Sequence, residues 1–314
     1  MSAVDRVGYD EFGMLHENAS EVGLVLDRLP HVERVWVDVG EGRELSALVW
    51  GEGPPELVLL HGGAQNAHTW DTVCLGLGDR SMVAIDLPGH GHSADVREDG
   101  RTASGAAADV AAALRALVGD GSGPGLRAVV GMSLGGLVSI ALAGLEPGLV
   151  PALVLVDVLP GIKVEQSRHI VDFVAGPPSF PNFDELLART VEHNPHRTVS
   201  SLRRGILHNA AQQPDGSWVW RHTRGEGGLA GRVAADRVPG DRIYEDLWPT
   251  LEGLSVPVLL ARGLRADSVL RDDDVAELLR RVPTAEVVPF PDAGHSIQGD
   301  KPLDLAATIA RFVT

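Results

Sequence analysis

A serine flanked by glycines stands at Gly131-Met132-Ser133-Leu134-Gly135, between an apolar run that ends at Val130 and a helical pattern that begins at Leu134. Such a strand-to-helix corner holds the serine in a strained backbone conformation, at a cost of roughly 1–3 kcal/mol, and projects its hydroxyl above the sheet. The glycines remove the Cβ atoms that would collide with the neighbouring strand and helix. The pattern predicts that Ser133 is a nucleophile, although a serine in a glycine-rich turn also arises by chance.

A histidine lies near the carboxyl end, in the small-residue loop Asp292-Ala293-Gly294-His295-Ser296 between the last predicted strand and the last predicted helix. Neutral imidazole has a pKa near 6.5, so it can take the proton of an attacking serine and return that proton to the leaving group. We therefore predict that His295 is the general base for Ser133.

Two aspartates compete for the role of the acid that orients this histidine. Asp267 lies in the loop after the predicted strand 258–260, and Asp157 follows the predicted strand 153–156. A carboxylate in either loop can fix the tautomer of His295 and stabilise its imidazolium form. The prediction favours Asp267, with Asp157 as the alternative.

Two backbone amides are predicted to form an oxyanion hole. One belongs to Gly63 in the tight turn His61-Gly62-Gly63-Ala64, and the other to Leu134, which follows the serine at a helix amino end. Each such donor contributes on the order of 10²–10³ in rate. The simpler alternative is that the glycines only turn the chain. The loop Asp86 to Ser93 is predicted to be mainly structural.

Short apolar runs that alternate with longer helical patterns predict an α/β fold, with a mostly parallel sheet covered by helices on both faces. Loops after the carboxyl ends of parallel strands share one edge of the sheet, which would bring the serine, acid and histidine together. Predicted strands cover 32–39, 44–50, 57–60, 82–85, 128–130, 153–156, 258–260 and 287–289, the first two as an antiparallel pair. Predicted helices cover 103–118, 134–145, 272–282 and 302–312.

The alternation breaks between 160 and 250, which is rich in proline and tryptophan and is predicted to be an inserted cap. The predicted organisation is an N-terminal extension (1–31), a core in two parts (32–159 and 251–314) and this cap, with 225–240 as a mobile stretch. Its aromatic residues are expected to form the small core of the cap rather than line a pocket: Phe173, Phe180, Phe183, Trp218, Trp220 and Trp248. A polar cluster either binds a substrate carboxylate or, as favoured, pins the cap to the sheet: His193, Asn194, His196 and Arg197.

Composition limits the partners. The chain has 314 residues and a net charge of -16, which disfavours nucleic acid and anionic membranes. Cys74 is the only cysteine, so the expected compartment is reducing. No apolar run of signal-peptide type or of membrane-spanning length is visible in the sequence, so a cytoplasmic protein is expected. We expect a small-molecule substrate, a monomer or weak homodimer, no cofactor and no metal. His68 is disfavoured as a metal ligand because no ligand-type spacing surrounds it in the sequence.

Taken together, these motifs resemble the α/β-hydrolase superfamily from about Val32 to the carboxyl end, interrupted by the cap. They are Leu60-His61-Gly62-Gly63, the loop Asp86 to Ser93, Gly131-Met132-Ser133-Leu134-Gly135-Gly136 and Gly294-His295-Ser296. The resemblance implies an eight-stranded sheet with an antiparallel second strand, a lid after the sixth strand and acyl-enzyme chemistry without a cofactor. It also implies that Ser133 is the nucleophile, His295 the base, Asp267 the acid after the seventh strand, and Gly63 and Leu134 the oxyanion donors.

The predicted function is a serine hydrolase that cleaves a small-molecule carboxylic ester, with lactones and thioesters as the next substrates. A serine at the corner argues against dehalogenation and epoxide opening, for which similar proteins use an aspartate there. Two alternatives stay open: carbon–carbon bond hydrolysis by the same triad, and a non-enzymatic small-molecule receptor on the same fold.

Overall fold

The structure is a computed structural model that describes residues 7–97, 102–118, 125–223 and 240–314. Its strands are β1 (Val32–Gly40), β2 (Arg43–Trp50), β3 (Leu57–Leu60), β4 (Met82–Ile85), β5 (Ala128–Met132), β6 (Leu153–Val156), β7 (Ser179–Phe180), β8 (Ala210–Gln212), β9 (Trp218–Trp220), β10 (Val258–Gly263) and β11 (Glu286–Phe290). Its α-helices are α1 (Leu15–Glu21), α2 (Asp71–Leu77), α3 (Ala103–Val118), α4 (Leu134–Leu145), α5 (Arg168–Val174), α6 (Phe183–His193), α7 (Val199–Asn209), α8 (Trp248–Glu252), α9 (Asp272–Arg281), α10 (Ile297–Asp300) and α11 (Pro302–Phe312).

Eight strands form one sheet in the order β1-β2-β4-β3-β5-β6-β10-β11. The strand β2 runs antiparallel to both of its neighbours, and the other pairs are parallel. This topology confirms the predicted α/β-hydrolase fold, including the opening antiparallel pair. The carboxyl ends of β3, β5, β6, β10 and β11 therefore point to one edge of the sheet, where the site lies.

Both faces of the sheet are covered, so the central strands read as continuous apolar runs. Every residue of β3, β4, β5 and β6 is buried. Helices α3, α4, α8 and α9 contribute to the core on one face, and α1, α2, α10 and α11 to the core on the other. Cys74 is buried in the second of these cores as a free thiol. In the described part of the chain, no helix has the length and apolar character needed to cross a bilayer.

Part of the chain between β6 and β10, from residue 168 to residue 220, forms a separate layer over the carboxyl edge of the sheet. It contains α5, α6, α7 and a small antiparallel sheet in the order β7-β9-β8. Phe180 and Trp218 are buried in its own core, with Phe183 and Trp220 packed against them, as the aromatic pattern predicted. Trp248 differs, since it is buried in the core of the main sheet. Of the predicted mobile stretch 225–240, only residue 240 lies within the described residues.

The N-terminal segment is joined to both layers. Leu15 and Ala19 of α1 are buried against the main sheet. The guanidinium of Arg204, on α7, forms ion pairs with Glu17 and Glu21. The extension is thus a short helix that bridges the core and the overlying layer.

Candidate active site

Ser133 occupies a strained corner between β5 and α4. Its backbone dihedrals are φ 51° and ψ -119°, outside the conformations that L-residues ordinarily adopt. A Cβ at Gly131 or Gly135 would come under 3.0 Å from backbone atoms of the neighbouring segments. The corner predicted from the glycine spacing is therefore present, and both glycines are needed for its close packing.

Behind the site, His295 is held by Asp157. The Nδ1 atom of His295 lies 2.9 Å from Oδ2 of Asp157, and Asp157 is fully buried directly after β6. The carboxylate accepts three more hydrogen bonds, from the Gly263 amide at 3.0 Å, the Ser268 hydroxyl at 2.7 Å and the Val269 amide at 3.0 Å. Because these groups fix the carboxylate, it fixes the imidazole plane in turn.

The expectation that Asp267 lies behind His295 is wrong. The Asp267 carboxylate accepts two hydrogen bonds from the Arg265 guanidinium, at 3.1 and 2.9 Å, and these bonds lower the pKa of Asp267. The physical reason is the position of each residue beyond its strand. Asp157 is the first residue after β6, whereas Asp267 is four residues past the end of β10, on a loop that turns it toward Arg265.

The Nε2 atom of His295 is left for chemistry. It is buried and has no hydrogen-bond partner among the residues that the structure describes. Since Nδ1 faces a carboxylate, Nδ1 carries the proton and Nε2 presents its lone pair. His295 and Ser133 line one cavity of about 270 Å³, so the sequence-predicted base and nucleophile share one space.

The predicted oxyanion loop lies beside the serine and is braced by two neutral histidines. A Cβ at Gly62 would lie 3.3 Å from the Ser133 Cβ. The Leu87 amide donates to Nε2 of His61 at 2.9 Å, and the Ala64 amide donates to Nε2 of His90 at 3.1 Å. Burial lowers the pKa of His61 to about 3, which keeps it neutral and able to accept.

The two expected oxyanion donors lie at this edge. Gly63 lines the cavity, and Leu134 is the first residue of α4, so its amide has no acceptor within the helix. A positive helix amino end favours negative charge at this point.

The loop Asp86 to Ser93 has the structural role expected of it. The buried Asp86 carboxylate accepts hydrogen bonds from the amides of Ala67 and His92, at 2.7 and 3.0 Å. Burial alone would raise the pKa of Asp86, but the Arg34 guanidinium at 2.8 Å helps to hold that pKa below its usual value. This ion pair ties β1 to the loop after β4.

The layer between β6 and β10 supplies the other wall of the cavity. It contributes residues of α5, the last residue of α6 and the turn that follows α6: His169, Ile170, Phe173, Val174, His193, Asn194, Pro195, His196 and Arg197. His193 and Asn194 hydrogen-bond carbonyls of their own helix, Arg189 and Thr190. These two bonds neither pin the cap to the sheet nor bind a substrate carboxylate, the two roles predicted for the cluster. Phe173 faces the cavity, although it was predicted to lie in the core of the cap.

A second polar cluster, which the sequence did not reveal, surrounds His68. Asp71 and His208 place ligand-type atoms within 4.8 Å of it, a grouping that the spacing around His68 in the sequence did not predict. The Nδ1 atom of His68 lies 2.9 Å from Asp71, and its Nε2 lies 3.0 Å from Glu11. When His68 is protonated, both ring nitrogens donate to carboxylates, so the arrangement is an ion-pair network in which His68 has no free lone pair.

This network predicts a pH-dependent stability. Burial alone would lower the pKa of His68, but Asp71 and Glu11 outweigh it and raise the pKa to about 9, against nearby Arg34. Protonated His68 therefore stabilises the fold, and this contribution is complete below about pH 6.5. The contribution is lost as the pH rises through 9. The ring of His208 stacks on His68 at 3.7 Å, and burial holds the pKa of His208 well below its usual value, so His208 remains neutral over this range.

We therefore expect His68→Gln to lower the free energy of unfolding at pH 6 and to approach the wild-type value at pH 10. Urea denaturation at both values measures the difference. His16→Gln, at an exposed histidine of α1, is the matched control and should leave the pH profile unchanged. If the free energies of unfolding of wild type and His68→Gln differed by the same amount at both pH values, protonated His68 would not be the source of the pH dependence.

Comparison with known proteins agrees with this geometry. The family model described as "Alpha/beta hydrolase family" matches residues 57–308. Esterase Rv0045c of Mycobacterium tuberculosis is 43% identical over 311 residues, which are 96% of this chain and 95% of that protein. Its crystal structure has a TM-score of 0.78 at 41% identity and covers 98% of this chain and 99% of its own. The crystal structure of E-2-(acetamidomethylene)succinate hydrolase has a TM-score of 0.76 at 25% identity, with 90% and 99% covered. The chain belongs to the α/β-hydrolase family.

Proposed function

We propose that this protein is a serine hydrolase that cleaves a small-molecule carboxylic ester through an acyl-enzyme intermediate, with Ser133, His295 and Asp157 as its triad. The observation that carries the proposal is the 2.9 Å contact between Asp157 and Nδ1 of His295, which leaves Nε2 without a hydrogen-bond partner among the described residues, at the cavity that Ser133 also lines. The 43% identity to an esterase over nearly the whole of both chains supports the same chemistry.

In the first half of the reaction, the Ser133 oxygen attacks the ester carbonyl carbon while Nε2 of His295 takes the hydroxyl proton. The carbonyl oxygen becomes negative and is held by the amides of Gly63 and Leu134. The intermediate then collapses, and the imidazolium gives its proton to the departing alcohol. The Asp157 carboxylate keeps the ring in place and stabilises the imidazolium.

In the second half, His295 takes a proton from water as the water oxygen attacks the acyl carbon, and the proton returns to Ser133 when the acid leaves. The cavity around Ser133 has about 270 Å³, at or below the small end of ligand pockets, and a neighbouring cavity of about 510 Å³ shares Ala64, Phe173 and Arg197 with it. A short acyl group fits beside Ser133, and a longer one can extend into the neighbouring cavity. Lactones and thioesters present the same carbonyl chemistry. The layer between β6 and β10 acts as the lid, because it supplies one wall of this cavity.

A fluorophosphonate probe tests the nucleophile directly. We expect stoichiometric phosphonylation of the wild type, with mass spectrometry locating the adduct on Ser133, and no adduct on Ser133→Ala. Ser139→Ala is the matched control, since Ser139 lies buried on α4, the helix that follows Ser133, and its hydroxyl donates to the Gly135 carbonyl at 2.7 Å. An unlabelled wild type, or an adduct that survives in Ser133→Ala, would remove the proposal.

A further inference from the structure

The cavity wall opposite the sheet carries Arg197, an arginine that pairs with no carboxylate of the described residues. Arg197, in the turn between α6 and α7, donates one hydrogen bond, from Nη2 to the Ser201 hydroxyl at 2.5 Å. Within residues 7–97, 102–118, 125–223 and 240–314, no carboxylate oxygen comes within 4 Å of its guanidinium. Burial lowers the pKa of Arg197, and the charge of Asp300 opposes this shift from a distance. A half-buried guanidinium in this state has hydrogen-bond donors to offer a ligand.

The other arginine of the cavity is different. The guanidinium of Arg265 pairs with Asp267 at 2.9 Å and with Asp300 at 3.0 Å, so its charge is already neutralised. The Asp300 carboxylate, already paired with Arg265, also accepts a hydrogen bond from the Gly294 amide at 2.9 Å. Of the two arginines, Arg197 is therefore the one whose guanidinium can bind an incoming anion.

The guanidinium of Arg197 lies in the same cavity as the reacting side chains. Its guanidinium lies against Gly299 of α10, four residues after His295, and a Cβ at Gly299 would come under 3.0 Å from the guanidinium. Arg197 lines the same cavity as Ser133 and His295. A substrate whose ester carbonyl is at Ser133 can thus reach Arg197 with another part of the same small molecule.

We propose that Arg197 binds a free carboxylate on the substrate, so that the preferred substrate class is the monoester of a short dicarboxylic acid. This inference rests on the proposed function. The planar guanidinium matches a carboxylate with two parallel hydrogen bonds, and partial exclusion of water strengthens them. The net charge of -16 repels anions at long range, so recognition of an anionic substrate has to come from a local cation of this kind.

The test compares two series of methyl esters: the monomethyl esters of C4 to C8 dicarboxylic acids, and the uncharged methyl alkanoates of the same acyl lengths. We expect the wild type to prefer at least one charged ester over its neutral match. In Arg197→Gln, kcat/KM for that charged ester should fall by about 10- to 100-fold, mainly through KM, as for loss of a charge-assisted hydrogen-bonded pair. The neutral ester should change by less than about threefold.

Two further variants separate charge recognition from structure. Gly299→Ala keeps the arginine but displaces its guanidinium, so it should weaken turnover of the charged ester selectively. Arg203→Gln removes the same charge from an exposed position on α7 and should leave both series unchanged. It therefore controls for net charge.

Equal losses for charged and neutral esters in Arg197→Gln would assign Arg197 to pinning the lid and overturn the proposal. So would a wild type that prefers the neutral ester at every chain length. Either result, obtained with an enzyme that still hydrolyses esters and labels at Ser133, leaves the proposed function standing. Failure of that function would appear separately, as no ester turnover and no labelling.

Discussion

Replacing Asp157 with asparagine is expected to lower kcat for ester hydrolysis by about 10³- to 10⁴-fold. The carboxylate accepts from Nδ1 of His295 and so keeps the lone pair on Nε2. An asparagine that turns its amide NH₂ toward the ring would favour the opposite tautomer, in which Nε2 carries a proton and cannot accept one from Ser133. The measurement is steady-state hydrolysis of a short-chain aryl ester at neutral pH.

The matched variant is Asp267→Asn, which should change kcat by only a few-fold, because the Asp267 carboxylate is bound to Arg265. Thermal unfolding of both variants distinguishes a lost acid from a lost fold, since Asp157 also orders the loop through Ser268 and Val269. If Asp267→Asn were the inactive variant and Asp157→Asn the active one, the acid would have to be reassigned.

The choice between Asp157 and Asp267 as the partner of His295 could not be made from the sequence. The strands β6 and β10 are neighbours in the sheet, so Asp157 and Asp267 both follow strands that end at the site edge. The choice depends on contacts more than 100 residues apart, from Gly263, Ser268 and Val269 to the Asp157 carboxylate. One local signal was available, because Arg265 stands two residues before Asp267 and is a ready ion-pair partner.

The main sheet and its helices were predictable because they rest on local patterns. Buried runs such as Leu57–Leu60 and Leu153–Val156 are unbroken apolar segments in the sequence. Helix α11 has the predicted bounds and begins with Pro302, a residue that suits a first helical position. The strands β7, β8 and β9 have only two or three residues each, too few for an alternating pattern to register. Their pairing is decided by packing of Phe180 against the small core around Trp218.

The cluster around His68 was out of reach for the same reason. Its members come from the N-terminal segment, α2 and α7, and the stack of His68 on His208 joins residues 140 positions apart. Local spacing around His68 contains Asp71 alone, which by itself is an ordinary first residue of a helix. A polar network of this kind is specified by the tertiary fold, and the pH profile of stability is its measurable consequence.

Gly135→Ala is expected to disrupt the site and the fold together. A Cβ at Gly135 would come under 3.0 Å from the backbone of Leu60 and His61, at the end of β3 and the start of the oxyanion loop. Because neither side of this contact is a flexible side chain, α4 must shift and carry Ser133 with it. We expect kcat/KM below about 1% of wild type, and a loss of unfolding free energy at or above the ~1–3 kcal/mol of ordinary overpacking.

Gly205→Ala provides the control that isolates the collision. Gly205 is an exposed residue of α7, and no atom of the described residues lies within 4 Å of a Cβ added there. Like Gly135, it lies inside a helix. Helix propensity alone favours alanine by roughly 0.5–1 kcal/mol at both positions, so Gly205→Ala should be slightly more stable than wild type and fully active. Urea denaturation and ester turnover of the two variants are measured side by side. If close packing at Gly135 holds the nucleophile in place, the free energy of unfolding falls in Gly135→Ala and rises slightly in Gly205→Ala, and only Gly135→Ala loses activity. Two variants of equal stability and activity would show that the corner at Ser133 tolerates a Cβ and that its geometry is maintained by other contacts.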